Sequence, residues 1–156
     1  MMRSYSVLAV WTLVAGAGIP LIGVLNSGMA RSVGNPFAAT ATMFLVALLL
    51  AASVMLPFYG VPTLRQIGNA PLSSHGAGVL IAFYALSATV IIPRMGAASF
   101  VAFILLAQLV TSALVDHFGW FGMARRPIDT LRLAGLLTIA VGIAIMEVGN
   151  LRSASS

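Results

Sequence analysis

The chain of 156 residues is 60% hydrophobic and only 7% charged, whereas soluble domains carry roughly 25% charged residues. This composition excludes a soluble globular protein and predicts one domain of helices that pack against each other inside a lipid bilayer. The net charge of +5 comes without a basic stripe or an aromatic RNA-binding motif, so we expect no nucleic-acid partner. The absence of cysteine excludes disulfides and thiolate metal sites.

Long uncharged runs separate the few charged residues. Between Arg3 and Asp116 these runs hold 27, 33, 28 and 21 residues. Each is long enough to cross a bilayer, because about 20 apolar residues in a helix cover the roughly 30 Å hydrocarbon core. The sequence therefore predicts an all-α membrane protein whose first four spans lie at about residues 5–25, 36–58, 75–92 and 97–115.

Cap and turn residues mark the ends of these spans. Asn35 can cap the second helix, and Pro36 suits its first turn. Residues 59–74 are rich in glycine and proline and predict a loop, at the end of which Ser73 or Ser74 can cap the third span. The first span is longer than the apolar region of a signal peptide and further spans follow it, so we expect it to be retained.

A fifth span is predicted at about residues 131–149, with a polar tail from Arg152 onward. Only 14 residues between Arg132 and Glu147 are strictly uncharged. Arg132 must therefore snorkel at one interface, and Glu147 must lie close to the other.

Five spans place the two termini on opposite sides of the membrane. Five arginines then fall on the amino-terminal side and three on the other, which favours a cytoplasmic amino terminus. So small a difference is also typical of a chain that can insert in both orientations. The arginines on the amino-terminal side are Arg3, Arg65, Arg125, Arg126 and Arg132.

Small residues and one proline recur along the first span at steps of four and three residues, which places them on one helical face. Small residues let helices approach closely. We therefore expect this face either to pack against another helix or to line a substrate path. Asn26 lies beside the face and can either cap the helix or bind a ligand. The face consists of Gly16, Pro20, Gly23, Ser27 and Ala30.

A polar stripe runs along the fourth span from mid-membrane to one surface. It consists of Gln108, Thr111, Ser112 and Asp116. An amide in the middle of a span costs free energy unless it finds a partner. The stripe therefore predicts either an interhelical hydrogen bond that holds the bundle together or contact with substrate along an entry path.

Acidic residues near the span ends are candidates for ion coupling. At the end of the fourth span, Asp116 and a protonated His117 can form either a structural clamp, with Arg125 or Arg126 compensating the carboxylate, or a proton-coupling pair. Glu147 in the fifth span is either an interfacial residue or a coupling residue.

Two glycines seven residues apart in the fifth span, Gly135 and Gly142, predict a close-packing face for association between chains. The sequence holds no phosphate loop, dinucleotide fingerprint, metal-binding motif or nucleophile with its base. We therefore expect neither an enzyme nor a bound cofactor or metal.

These motifs together resemble the YdcZ-type family of short five-helix candidate inner-membrane exporters, in the drug/metabolite transporter (DMT) superfamily. The resemblance covers most of residues 20 to 145. Upstream it includes Asn26, Gly34, Pro36 and Pro93 with Gly96-Ala97-Ala98. Its specific part is the series Gln108-Leu109, Asp116-His117-Phe118-Gly119, Phe121-Gly122, Arg125-Arg126-Pro127 and Arg132-Leu133-Ala134-Gly135.

The resemblance implies a small-molecule transporter of the bacterial inner membrane, with a substrate path between two five-helix halves of inverted topology. This chain would be one half of such a ten-helix bundle. Its partner would be an antiparallel copy of itself or a related five-helix chain, and alternating access would rock one half against the other. The alternative is a membrane protein that does not transport, such as a small assembly or accessory subunit.

Overall fold

The computed structural model describes residues 2–154, with side chains from residue 5 to residue 153. This part of the chain is helical, without a strand, and five of its helices are long and apolar enough to cross a membrane. The predicted all-α class with five membrane-length helices is therefore confirmed. The side chain of Arg3 and the end of the predicted polar tail, residues 155–156, lie outside the described residues. The α-helices are α1 Met2–Val33, α2 Pro36–Tyr59, α3 Leu64–Gly68, α4 Leu72–Met95, α5 Ala97–Phe118 and α6 Thr130–Ala154, and a short 3-10 helix spans Trp120–Gly122 between α5 and α6.

Local sequence signals place the start of α2 correctly but not the end of α1. The side-chain oxygen of Asn35 accepts hydrogen bonds from the backbone N–H groups of Phe37 and Ala38, at 2.8 and 3.2 Å, and Pro36 occupies the first turn. By contrast, α1 continues to Val33, well past its predicted end near residue 25. Asn26 does not cap the helix but bonds to neighbouring helices, and the helix ends just before Gly34, which has a φ of 74°.

The segment predicted as a loop between the second and third spans contains the short helix α3. A capping box explains it: the Thr63 hydroxyl accepts from the Gln66 N–H at 3.3 Å, and the Gln66 side chain accepts from the Thr63 N–H at 2.7 Å. Helix α4 then starts directly after Pro71 without a side-chain cap. The predicted cap at Ser73 or Ser74 is therefore wrong.

The chain divides into two compact units, one up to Ala97 and one from Ala98 onward. In the first unit, α1 packs against α2 and α4, which also contact each other. The seam between α1 and α4 is tight at Gly23, where an added Cβ would overlap the Cδ1 atom of Ile92 and lie 3.4 Å from the Cβ of Ala88. Small residues at such a seam let helix backbones approach closely inside lipid.

In the second unit, polar contacts join α5 and α6 near both of their ends. Ser99 near the start of α5 accepts a hydrogen bond from the side-chain amide of Asn150 near the end of α6, at 3.2 Å. Asp116 near the end of α5 forms an ion pair with Arg132 near the start of α6, at 2.6 Å. The two helices therefore run antiparallel with a fixed register.

We expect Gly23→Leu to destabilise the first unit, because the added side chain would overlap Ile92 at the α1–α4 seam. Overpacking of this kind costs about 1–3 kcal/mol, measured as a lower midpoint of thermal unfolding in detergent.

Gly16→Leu on the same helix is the matched control, because nothing lies within 4 Å of a Cβ at that position. Equal destabilisation by the two substitutions would contradict close packing at Gly23.

Candidate functional site

A buried polar cluster joins the three long helices of the first unit. Asn26 on α1, Thr40 on α2 and Thr89 on α4 are each at most 5% exposed. The Asn26 Nδ2 atom donates to the Thr40 hydroxyl at 3.0 Å and to the Thr89 hydroxyl at 2.6 Å. One amide group on α1 thereby holds both neighbouring helices.

The two threonine hydroxyls act as acceptors toward Asn26 because each donates its own proton elsewhere. Thr40 donates to the carbonyl of Pro36 at 2.9 Å, and Thr89 donates to the carbonyl of Ala85 at 2.7 Å. Each threonine thus has its donor satisfied within its own helix and its acceptor satisfied by α1. Thr40 and Thr89 were missed from the sequence, since a threonine in a helix ordinarily bonds to its own backbone and carries no signal of a distant partner.

Ser27, next to Asn26, adds a second link between α1 and α4. Its buried hydroxyl lies 2.7 Å from the carbonyl oxygen of Gly23 and 3.2 Å from that of Thr89. The predicted face of the first span is therefore split: Gly23 and Ser27 lie in the seam, whereas Gly16 is exposed with open space at its Cβ position.

The polar stripe of the fourth span lies on an exposed face of α5. Gln108, Thr111 and Ser112 are exposed, and no hydrogen bond reaches their side chains within the described residues. Two of the four buried residues of the same helix, Ala102 and Ala113, lie at positions that face away from Gln108. We call Gln108, Thr111 and Ser112 the polar face of α5.

Several other exposed hydroxyls on the membrane-length helices are satisfied by their own backbone. Thr42 donates to the carbonyl of Ala38 and Thr138 to the carbonyl of Ala134, both at 2.9 Å. Thr111 and Ser112 make no such bond. The hydroxyls of the polar face of α5 therefore keep free hydrogen-bonding capacity.

Gln108 lies near the middle of its span. It follows Ser99 by nine residues and precedes Asp116 by eight, which corresponds to roughly 12–14 Å of helix on each side. Lipid offers no hydrogen bond at that depth, so an uncovered amide would cost about 2 kcal/mol or more. Among the described residues, the amide of Gln108 therefore lacks the hydrogen-bond partner that this depth in the membrane requires.

The ion pair that closes α5 differs from the predicted one. Asp116 pairs with Arg132, and each side chain is 32% exposed. Arg126 instead donates its backbone N–H to the Asp116 carbonyl at 2.7 Å, and Arg125 donates its Nε–H to the His117 carbonyl at 3.2 Å. The expectation that Arg125 or Arg126 compensates the carboxylate is therefore wrong.

His117 also has a different role from the one expected of a cationic residue at a helix end. Its Nδ1 atom accepts the backbone N–H of Ile128 at 3.0 Å, so that nitrogen carries no proton. On the other side of the turn, Asp129 accepts the N–H of Arg132 at 2.7 Å and caps α6. His117 and Asp116 thus both hold the turn between α5 and α6 in place.

Glu147 lies half-buried on α6 and accepts the side-chain amide of Asn150 at 3.3 Å. The same amide donates to the buried hydroxyl of Ser99. Glu147 is therefore linked through Asn150 to a polar contact between α5 and α6, and the link from Asn150 to Ser99 could not be predicted because the two residues are 51 positions apart in the sequence.

The remaining predicted packing residues, Gly135 and Gly142, have open space where a Cβ would stand. The fold of the single chain does not bring them against another helix. Among the described residues, no group of three histidines or acids is arranged to hold a metal ion.

Comparison with known families gives one match. The family model described as "Putative inner membrane exporter, YdcZ" matches residues 7–145. This range contains the buried polar cluster, the polar face of α5 and the turn before α6. No curated protein and no solved structure matches the chain.

We expect Asp116→Asn and Arg132→Gln to be coupled in a double-mutant cycle of unfolding free energy in detergent. Because both side chains are about one-third exposed, solvent screening limits the coupling to about 0.5–1 kcal/mol.

The matched cycle pairs Asp116→Asn with Arg125→Gln, whose guanidinium bonds to the His117 carbonyl instead. This cycle should give a coupling close to zero. A larger coupling with Arg125 than with Arg132 would contradict the ion pair described above.

Proposed function

The chain belongs to the YdcZ family of the DMT superfamily, and from that membership we propose that it exports a small molecule across the inner membrane. The family description supplies the inner membrane and export, and the five membrane-length helices fit a multi-pass protein. The substrate contacts, the partner chain and the orientation are our inference from the residues.

The polar face of α5 is the single observation that carries this proposal. Gln108, Thr111 and Ser112 have unused donors and acceptors at mid-membrane depth. Substrate sites of secondary transporters lie near the bilayer midplane, where a substrate or a wet path would satisfy such groups. We infer that this face lines the route of the substrate.

The route needs a second wall, and we infer that another five-helix chain supplies it. An exposed polar face would otherwise contact lipid tails, which cannot form hydrogen bonds. An antiparallel copy of this chain or a related chain would enclose the face and provide the second half for alternating access. Gly135 and Gly142, which are open in the single chain, are then available for contact between chains.

Asn26 contributes to this proposal as a structural residue rather than as a free ligand. Both of its N–H groups are used by Thr40 and Thr89. We infer that the buried polar cluster keeps α1, α2 and α4 together as one body during transport.

For ion coupling, Glu147 is a better candidate than Asp116 or His117. Asp116 already pairs with Arg132, and His117 already accepts from Ile128, so protonation of either would break a contact that holds the turn. Glu147 accepts one hydrogen bond from Asn150 and can bind a proton without breaking an ion pair. We therefore infer that any proton coupling uses Glu147.

We expect Gln108→Leu to lower transport while leaving the fold intact. The leucine keeps a similar volume but removes the amide, and the loss of one hydrogen bond of about 1–1.5 kcal/mol predicts a five- to tenfold lower rate. A screen of candidate substrates with the purified unmodified protein in liposomes identifies a transported compound. The flux of that compound is then compared between the unmodified protein and the Gln108→Leu variant.

Thr111→Ala and Thr138→Ala are the matched pair for this measurement. Thr111 belongs to the polar face of α5, whereas Thr138 is exposed but bonded to its own helix, so only Thr111→Ala should lower the flux. If Gln108→Leu keeps full flux and instead weakens association between chains, Gln108 holds an assembly together and the accessory-subunit alternative is favoured.

The orientation is tested by fusing a reporter to the tail after Arg152. A single orientation with a cytoplasmic amino terminus predicts a periplasmic reporter, and dual insertion predicts a signal in both compartments. A reporter found only in the cytoplasm would contradict five spans with the amino terminus inside.

A further inference from the structure

The turn between α5 and α6, residues 119–129, exposes aromatic rings at the end of a membrane-length helix. Phe121 is 81% exposed, and Trp120 is half exposed. The Trp120 ring stacks on Phe118 with the centroids 5.0 Å apart. Exposed aromatic rings at the end of a span are typical of the headgroup level of a bilayer.

The same turn carries two arginines whose positions are fixed by its backbone. Gly119 and Gly122 adopt positive φ angles of 67° and 78°, which lets the chain fold back onto the end of α5. The backbone of Arg126 is then tied to the carbonyl of Asp116, and the Arg125 Nε atom is tied to the carbonyl of His117. The backbone of Arg126 and the Nε atom of Arg125 are therefore held against the end of α5, in the same turn as the exposed rings.

The acidic residues near the turn leave these two arginines uncompensated. Asp116 is engaged by Arg132, and Asp129 caps α6. The Arg125 guanidinium uses only its Nε–H, and the Arg126 guanidinium finds no acceptor among the described residues. The turn thus presents two positive charges and exposed aromatic rings in one segment of eleven residues.

We propose that this turn binds the phosphate group of an anionic phospholipid. The guanidinium groups of Arg125 and Arg126 match a phosphate in charge and donor geometry. Trp120 and Phe121 enter the bilayer at the level where that phosphate lies. The anion is therefore supplied by the membrane itself, and the site is independent of the transport path.

Tryptophan quenching by brominated lipids tests the proposal directly. The chain has two tryptophans, and Trp11→Phe leaves Trp120 as the single fluorescent reporter. This substitution should change the stability of the fold little, because Trp11 is 77% exposed. This protein is placed in bilayers of phosphatidylcholine and phosphatidylglycerol in which one of the two lipids is brominated. We expect phosphatidylglycerol to associate near Trp120 more strongly than phosphatidylcholine, by about fivefold for each arginine.

Variants separate a specific site from general attraction to a charged surface. Arg126→Gln should reduce the preference about fivefold, and Arg126→Lys should retain part of it. Neither variant removes the backbone hydrogen bond of residue 126, so the turn should remain folded. Arg65→Gln is the matched control, because it removes one exposed arginine that the five-span topology places on the same side of the membrane.

Two results would overturn the proposal. One is equal quenching of Trp120 by the two brominated lipids in the protein with both arginines present. The other is a loss of preference in Arg65→Gln as large as in Arg126→Gln, since that would trace the preference to overall charge rather than to this turn.

Discussion

Lipid cannot form hydrogen bonds, and this constraint decides where the polar atoms of the chain lie. In the first unit, the constraint is met by one amide. Asn26 gives both N–H groups to Thr40 and Thr89, whose own protons go to carbonyls of their helices. Because the hydrophobic effect does not drive association between helices inside lipid, this cluster and the close approach at Gly23 supply the specificity that apolar burial supplies in a soluble protein.

The same constraint fixes the register of α5 and α6. Seventeen residues separate Ser99 from Asp116 on α5, and eighteen separate Arg132 from Asn150 on α6. Both separations correspond to about 26 Å of helix, so the two polar contacts fall at matching heights near opposite ends of the span. A shift of one helix along the other would break both contacts at once.

Composition predicts the number of spans, and neighbouring residues predict some of the helix ends. The sparse charges indicated five spans, and Asn35 with Pro36 indicated the start of α2. Contacts between distant residues could not be predicted in this way. Arg125 and Arg126 are nearer to Asp116 in sequence than Arg132 is, but the turn folds so that Arg125 and the backbone of Arg126 bond to carbonyls of α5. That outcome follows from the backbone path at Gly119 and Gly122, which the arginine spacing does not encode.

Satisfied and unsatisfied polar groups therefore carry different information. A polar side chain whose donors and acceptors are already used, such as Thr89, must lose a bond before it can bind a substrate. Gln108, Thr111 and Ser112 have no bond to lose within the described chain, so a substrate or partner that meets them gains the full benefit of each new hydrogen bond. The sequence singled out Gln108, Thr111 and Ser112 as a polar stripe but left open whether another helix of the same chain bonds to them. The fold distinguishes them, because it shows which hydrogen bonds the single chain can make by itself and which must come from outside it.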